Sequence, residues 1–295
     1  MLEPVPFFMH SISSEPMHQI QLLKKYGLSI RGFRGQHLLV DENIQRKIVE
    51  FVKVEPGEKI VEIGPGLGAI TELLLDKGAR VVAVEKDRKF VEILECELGK
   101  TYENLKLVSG DILKFDFEKC AKNERLKVVG NIPYYITTDI ILFLIKNRKW
   151  IDSAYLTMQK EYADRIFAQP GSKSYSRLTL LVRFYADICR GFEISRTCFT
   201  PPPDVDSTTI SFTFWEKPPV DIDEELLFQV IQSGFSSRRK NILNTLSAGF
   251  EGRLTKEKVK NVLDSCGIDL NARAESLMLK DFIRLAEHIG KVLAK

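Results

Sequence analysis

Asn131-Ile132-Pro133-Tyr134 sets an amide, a rigid proline and an aromatic ring directly after the apolar run Leu126–Val129. That order can grip a flat ring that bears an amino group. The amide oxygen of Asn131 accepts one hydrogen of an exocyclic NH2, and the backbone carbonyl of Ile132 accepts the other. Pro133 fixes its own φ and so stiffens the turn, while Tyr134 offers a face for stacking. An adenine held in this way would present its amino nitrogen to an electrophile bound nearby.

A second group of residues can hold that electrophile. Glu62-Ile63-Gly64-Pro65-Gly66-Leu67-Gly68 follows one apolar run and opens a helical pattern. Glycines let a ligand lie against the backbone, and the helix start supplies free N–H groups. Glu85 ends the next apolar run, where a carboxylate can take both hydroxyls of a ribose. Asp111 follows the third and is placed for an adenine amino group. Gly64-x-Gly66-x-x-Ala69 also satisfies a loose dinucleotide pattern, which alone is weak. Pro65, however, removes a backbone donor that a pyrophosphate would use. Glu62 would repel phosphates but could orient the amino end of a cationic cofactor. The whole set fits S-adenosylmethionine better than NAD.

These residues must sit at the ends of strands. Lys59–Ile63, Arg80–Val84, Leu105–Val108, Leu126–Val129 and Ser153–Met158 read as short apolar strands. Helices are expected from Asp41 to about Val52, over Ile70–Asp76, Asp87–Leu98 and Asp139–Ile145, and after Glu161. Apolar strands alternating with amphipathic helices predict an open parallel α/β sheet covered on both faces. Ile188–Ser195 and Thr208–Phe214, flanking Pro201-Pro202-Pro203, predict an antiparallel pair at one edge. Glu216-Lys217-Pro218-Pro219 breaks the composition and divides the chain. Residues 1–30 form a leader with a short helix over 17–26, 31–216 the α/β domain, and 217–295 a small all-helical domain. Helices in the last are expected over Glu224–Phe235, Ser237–Leu246, Thr255–Cys266 and Leu279–Val292.

The 295-residue chain is 44% hydrophobic and 28% charged, ordinary for a soluble protein. No stretch approaches the roughly 18 apolar residues of a spanning helix, so no membrane role is expected. No Lys or Arg precedes Lys24, which argues against a secretory signal or mitochondrial presequence and predicts the cytoplasm. The 5 cysteines are scattered with no C-x-x-C pair, and the 4 histidines include no H-E-x-x-H. Neither a disulfide nor a metal site is expected. Net charge is only +3, yet Lys and Arg cluster between Phe235 and Lys260. Such a stripe can neutralise phosphates, though a solvated helix face would look the same.

Taken together, the motifs resemble the ribosomal RNA adenine N6-dimethyltransferases of the KsgA type. The resemblance runs from Gly35-Gln36-His37-Leu38-Leu39 to the last helix. It takes in Glu62–Gly66, Glu85-Lys86-Asp87, Gly110-Asp111, Asn131–Tyr134 and Met158–Glu161, then Phe199–Ser207 and Phe235-x-x-Arg238-Arg239-Lys240. It implies a Rossmann-like class I methyltransferase sheet and transfer of methyl groups from S-adenosylmethionine. The implied target is the N6 atoms of two adjacent adenosines in the 3′-terminal hairpin loop of small-subunit ribosomal RNA, within an assembling 30S particle.

By the same resemblance, His37, Leu39, Gly64, Glu85, Asp111 and Asn131 contact the cofactor. Asn131, Ile132, Pro133 and Tyr134 serve catalysis, with Phe199 stacking on the far face of the base. Arg238, Arg239 and Lys240, at the start of a C-terminal helix, would bind RNA phosphates. Arg165, on the helix after Glu161, is a second candidate for a phosphate and equally for a surface salt bridge. The chain departs from the family pattern at Leu38, where Phe is usual, and at Tyr135, where Asn is usual. A methyltransferase of large-subunit RNA would share the catalytic motif. The Phe199–Pro203 and Phe235–Lys240 blocks favour the small-subunit enzyme.

Overall fold

The computed structural model describes residues 19–28 and 37–294. Gly35, Gln36 and the 1–16 leader lie outside the described residues. Each of the five expected parallel strands forms: β2 (Lys59–Ile63), β3 (Arg80–Glu85), β4 (Leu105–Ser109), β5 (Leu126–Asn131) and β6 (Ile151–Gln159). They lie in the order β4-β3-β2-β5-β6, and the sheet continues antiparallel through β9 (Ser207–Phe214) to β7 (Ala186–Ile194). A short antiparallel pair, β1 (Leu38–Leu39) with β8 (Phe199–Thr200), stands apart. It straps the segment before the sheet to the proline turn after β7.

The strand order reverses direction between β2 and β5. Chain connections run outward from β2 on one side and from β5 on the other. Loops leaving these two strands therefore diverge and open a crevice at their carboxyl ends. Gly64 follows β2 and Asn131 ends β5, so the two candidate motifs meet there.

Helices cover the sheet unevenly. On one face α2 (Glu42–Val52) and α3 (Ala69–Asp76) pack with Ile60, Val81, Ala83 and Val129. Asp41 caps α2 by accepting from the Ile44 N–H at 3.0 Å. Beyond α3, α4 (Arg88–Leu94) ends in a π-turn over Glu95–Gly99, so the helix expected to Leu98 is a composite. Before the sheet, α1 (Gln19–Lys25) joins Leu22 to a small cluster with Leu67, Phe90 and Ile93. On the opposite face lie α5 (Phe117–Ala121), α6 (Thr137–Lys146), α7 (Lys160–Phe167) and α8 (Arg177–Tyr185).

The helical C-terminal unit comprises α9 (Glu224–Gly234), α10 (Ile242–Gly249), α11 (Lys256–Ser265) and α12 (Leu279–Leu293). Its core runs on without a break into that of the sheet, through α8. At the junction Arg148 Nη2 reaches both carboxylate oxygens of Glu224 at 2.8 Å, and the Tyr185 hydroxyl donates to Glu224 Oε2 at 2.8 Å. No described helix is long and apolar enough to cross a membrane.

Candidate active site

A cavity of about 550 Å³ fills the crevice between β2 and β5. His37, Leu39, Gly64, Glu85, Asp111 and Asn131, all expected to hold the cofactor, line it. Each arrives from a different element. His37 and Leu39 come from the strapped segment, Gly64 and Glu85 from the ends of β2 and β3, Asp111 from the turn after β4, and Asn131 from β5.

The glycine turn is tight for a physical reason. Gly64 and Gly66 have φ of +64° and +60°, values that L-residues with a Cβ rarely adopt. A Cβ on Gly66 would also lie 2.9 Å from Leu38 Cδ2. The freed Gly66 N–H donates to Glu85 Oε2 at 3.1 Å, and the Asp87 N–H donates to Glu85 Oε1 at 2.8 Å. Glu85 is thus aimed by backbone, and each oxygen keeps a lone pair for a hydroxyl. Its burial raises the pKa of the carboxyl.

Glu62 is the most unusual group here. It lines the cavity at 3% exposure, and its Oε2 has no hydrogen-bond partner among the described residues. Burial first pushes its carboxyl up to about 7, with the Glu85 carboxylate adding to the rise and the nearby Thr71 hydroxyl opposing it. An orphaned buried acceptor of this kind fits a cationic amino group. The α-ammonium of S-adenosylmethionine is such a group, and the glycine turn and Glu85 fit its remaining parts.

Asp111 is more encumbered than expected. Oδ1 accepts from the Leu113 N–H at 3.0 Å, and Oδ2 pairs with Lys86 Nζ at 2.8 Å, which holds its carboxyl below the usual range. It remains an acceptor at the cavity wall.

The Asn131 amide is oriented by its surroundings. Its Nδ2 donates to the His37 carbonyl at 3.4 Å, which turns Oδ1 away from that carbonyl. The His37 ring stacks on Tyr134 with centroids 5.6 Å apart and planes at 24°. A carbonyl only accepts, so the 2.7 Å contact of His37 Nδ1 with the Pro201 oxygen places the proton on Nδ1. Tyr134 OH and Ser207 Oγ share a hydrogen bond of 2.9 Å. The Ile132 N–H donates to Thr157 O at 3.0 Å, and the Pro133 carbonyl accepts from the Ile136 N–H at 3.2 Å. The tetrapeptide is held at every residue.

Two expectations about this end of the site are corrected. Phe199 does not offer a stacking face: it is 2% exposed and packs in the core with Leu39, Ile48 and Val49. Its pairing opposite Leu39 in the β1–β8 ladder turns the ring inward. Tyr134 likewise has one face covered by His37. The open ring at the rim is instead Tyr135, 62% exposed and lining the cavity. Gln19 was not anticipated at all. It lines the cavity from α1, and its Nε2 donates to Leu67 O at 3.2 Å. A lone Gln in a leader gives no signal in sequence.

With the geometry in place, likeness to known proteins has a concrete meaning. The family description "Ribosomal RNA adenine dimethylase" matches residues 27–291. The chain belongs to the ribosomal RNA adenine dimethylase family. It is an S-adenosylmethionine-dependent rRNA methyltransferase with the class I sheet. The "Ribosomal RNA small subunit methyltransferase A" of Geobacillus sp. is 38% identical over 280 residues, 92% of this chain and 96% of that protein. The protein of the same description from Lysinibacillus sphaericus is 37% identical over 294 residues, 97% of this chain and 100% of its own length. Among solved structures, a dimethyladenosine transferase from Plasmodium falciparum aligns with a TM-score of 0.74 at 27% identity, over 86% of this chain and 98% of that one. The 23S rRNA methyltransferase ErmE shares the fold, with a TM-score of 0.64 at 24% identity, over 86% of this chain and 99% of its own.

For an enzyme of this family the basic residues away from the cavity matter too. Arg238, Arg239 and Lys240 do not begin a helix, as the sequence predicts. They lie in an exposed turn, and α10 starts only after Asn241, whose side chain accepts from the Asn244 N–H at 3.0 Å. Arg238 Nη1 donates to Lys173 O at 3.0 Å. Arg239 and Lys240 form no ion pair among the described residues. Arg165 on α7 pairs with Glu161 at 2.6 Å, one helical turn away, and its guanidinium lies over Tyr162.

Proposed function

We propose that this enzyme dimethylates the N6 atoms of two adjacent adenosines in the 3′-terminal hairpin loop of small-subunit ribosomal RNA. It does so in the cytoplasm, on an assembling small subunit. Residues 31–216 form the catalytic domain and 217–295 an RNA-binding domain. The observation that carries the reading is the Asn131 amide, pinned through Nδ2 to the His37 carbonyl at the mouth of the cofactor cavity. The names of relatives matched over more than nine-tenths of the chain support the choice of small-subunit RNA.

An adenine N6 lone pair is delocalised into its ring and is a poor nucleophile. In the first transfer Asn131 Oδ1 and the Ile132 carbonyl, accepting one N–H each, would draw both hydrogens to one side and leave the lone pair facing away; in the second, the one remaining N–H would be held by either acceptor. Bound S-adenosylmethionine supplies a methyl group on a positively charged sulfur. Glu62 would hold its ammonium, the turn at Gly64–Gly66 would line its methionine part, and Glu85 would take its ribose hydroxyls. No strong base is needed, since the positively charged product nitrogen loses its proton to water. Catalysis then rests on positioning and on placed dipoles. An unpaired loop adenosine lowers the cost of extrusion, a few kcal/mol for a paired base. Tyr135 at the rim can return about 1–3 kcal/mol by stacking. Arg238, Arg239 and Lys240 meet the phosphates, and Arg165 joins them once Glu161 is displaced.

The test is incubation with isotope-labelled cofactor and unmodified small subunits, followed by mass analysis of the adenosines. Two adjacent dimethyladenosines near the 3′ end are expected. Small subunits that gain no dimethyladenosine would refute the reading.

A further inference from the structure

A second depression lies on the sheet face that α5 and α6 cover. A parallel sheet is normally covered on both faces. The connection from β4 to β5 supplies only a 3-10 turn, Ile112–Lys114, and the five-residue α5. The outer strands β3 and β4 are left under a groove of about 640 Å³. Val82, Val84, Val108 and Phe115 form its apolar floor, consistent with the pairing of Val82 opposite Lys106 and Val84 opposite Val108.

The rim is strongly basic. Lys59, Lys106, Lys114, Lys119 and Lys122 line it, against Asp111 and Asp116. Asp111 is already paired with Lys86, and Asp116 with Lys119. Lys59 is partly spent on the Cys120 carbonyl and Glu124. Lys106, Lys114 and Lys122 are exposed and form no ion pair among the described residues. Lys122 is also held at φ +56°, ψ −100°, an arrangement costly for a residue with a Cβ. The groove shares Gly110 and Asp111 with the cofactor cavity, so it opens beside the active site.

We propose that this groove is a second contact for the substrate RNA, seating the phosphodiester backbone of a single-stranded stretch beyond the target adenosines. Lys106, Lys114 and Lys122 meet phosphates as point charges. The apolar floor beside Phe115 takes a ribose or base. The proposal rests on ribosomal RNA being the substrate. Its charge matches a polyanion, and through Gly110 and Asp111 it adjoins the cavity that Asn131 lines.

The experiment replaces Lys106, Lys114 and Lys122 together by Ala in the full chain. Binding of protein-free small-subunit rRNA transcript is measured from 50 to 200 mM KCl, and S-adenosylmethionine affinity by calorimetry. The slope of log affinity against log salt should fall by about 2, from three lost contacts at roughly 0.7 each, with cofactor affinity unchanged. In the unmutated protein, transcript should protect Cys120, at the groove wall, from alkylation, while exposed Cys96 reacts as before. An unchanged salt slope, with methylation by the unmutated protein intact, overturns the groove alone. Weakened binding only to particles that contain ribosomal proteins would assign the groove to an acidic protein and overturn it too. Absence of methylation by the unmutated protein would remove both the substrate reading and the groove.

Discussion

Glu62→Gln should separate two effects of one buried charge. In the ligand-free protein burial first, and then the Glu85 carboxylate, push the Glu62 carboxyl up from 4.5 to about 7, against the opposing Thr71 hydroxyl. At about 1.4 kcal/mol per pH unit, the ionised form costs the fold roughly 3 kcal/mol at pH 8. Between pH 4.5 and about 7 the folded protein keeps a proton that the unfolded chain has released. Stability therefore falls as pH rises through that window and is flat, for this group, on either side. Gln keeps the shape and removes the charge. Denaturant unfolding of ligand-free protein should show the variant more stable by up to roughly 3 kcal/mol at pH 8, or roughly 5 °C in melting temperature. The gain should vanish near pH 4.5. Cofactor binding should move the other way, because the ammonium loses its carboxylate: affinity at pH 8 should weaken by about tenfold or more. Unmutated protein should bind cofactor more weakly as pH drops below 7, while the variant should not respond. A variant that is no more stable at pH 8, or that binds cofactor as tightly as before, would refute the reasoning.

Other perturbations have distinct signatures. Tyr135→Ala removes an open ring at the rim, so RNA-dependent kcat/KM should fall by the equivalent of about 1–3 kcal/mol with cofactor affinity unchanged in calorimetry. Replacing Arg238 and Arg239 together by Ala should weaken RNA binding and lower its salt slope by roughly 1.5; a collapse of cofactor affinity instead would make these arginines structural. Gly66→Ala forces a Cβ onto Leu38 at a positive φ. It should cost about 1–3 kcal/mol in urea unfolding and weaken cofactor binding through Glu85, which loses its aimed N–H.

The sheet and the convergence of the candidate residues on one cavity are legible in sequence because local signals agree with the global fold there. Apolar strands end in Gly64, Glu85, Asp111 and Asn131, and each lands at the crevice. The failures have physical causes. Helix α8 is not among the expected elements because seven of its residues, Leu178 to Val182 with Phe184 and Tyr185, are buried. A helix packed on several sides shows no amphipathic period. Sequence alone puts the start of α10 at Ser237, because Ser and Asn are both good caps. The bond from the Ile242 N–H to Ala272 O, at 2.7 Å, selects the later one, and no local pattern encodes it. For Phe199 the resemblance implies a stacking role, whereas an aromatic before a proline turn reads by itself as a core residue. Only the pairing of β1 with β8, two residues each and far apart in sequence, shows it turned inward.

The proposed chemistry turns on the Asn131 amide, held by the His37 carbonyl. Its most direct test is the single-turnover rate of methyl transfer by Asn131→Ala at saturating cofactor and RNA, with the cofactor dissociation constant measured alongside. The rate should drop by about 10²-fold or more while the cofactor still binds, within roughly tenfold of its normal affinity. Transfer at the unmutated rate would contradict the role assigned to this side chain.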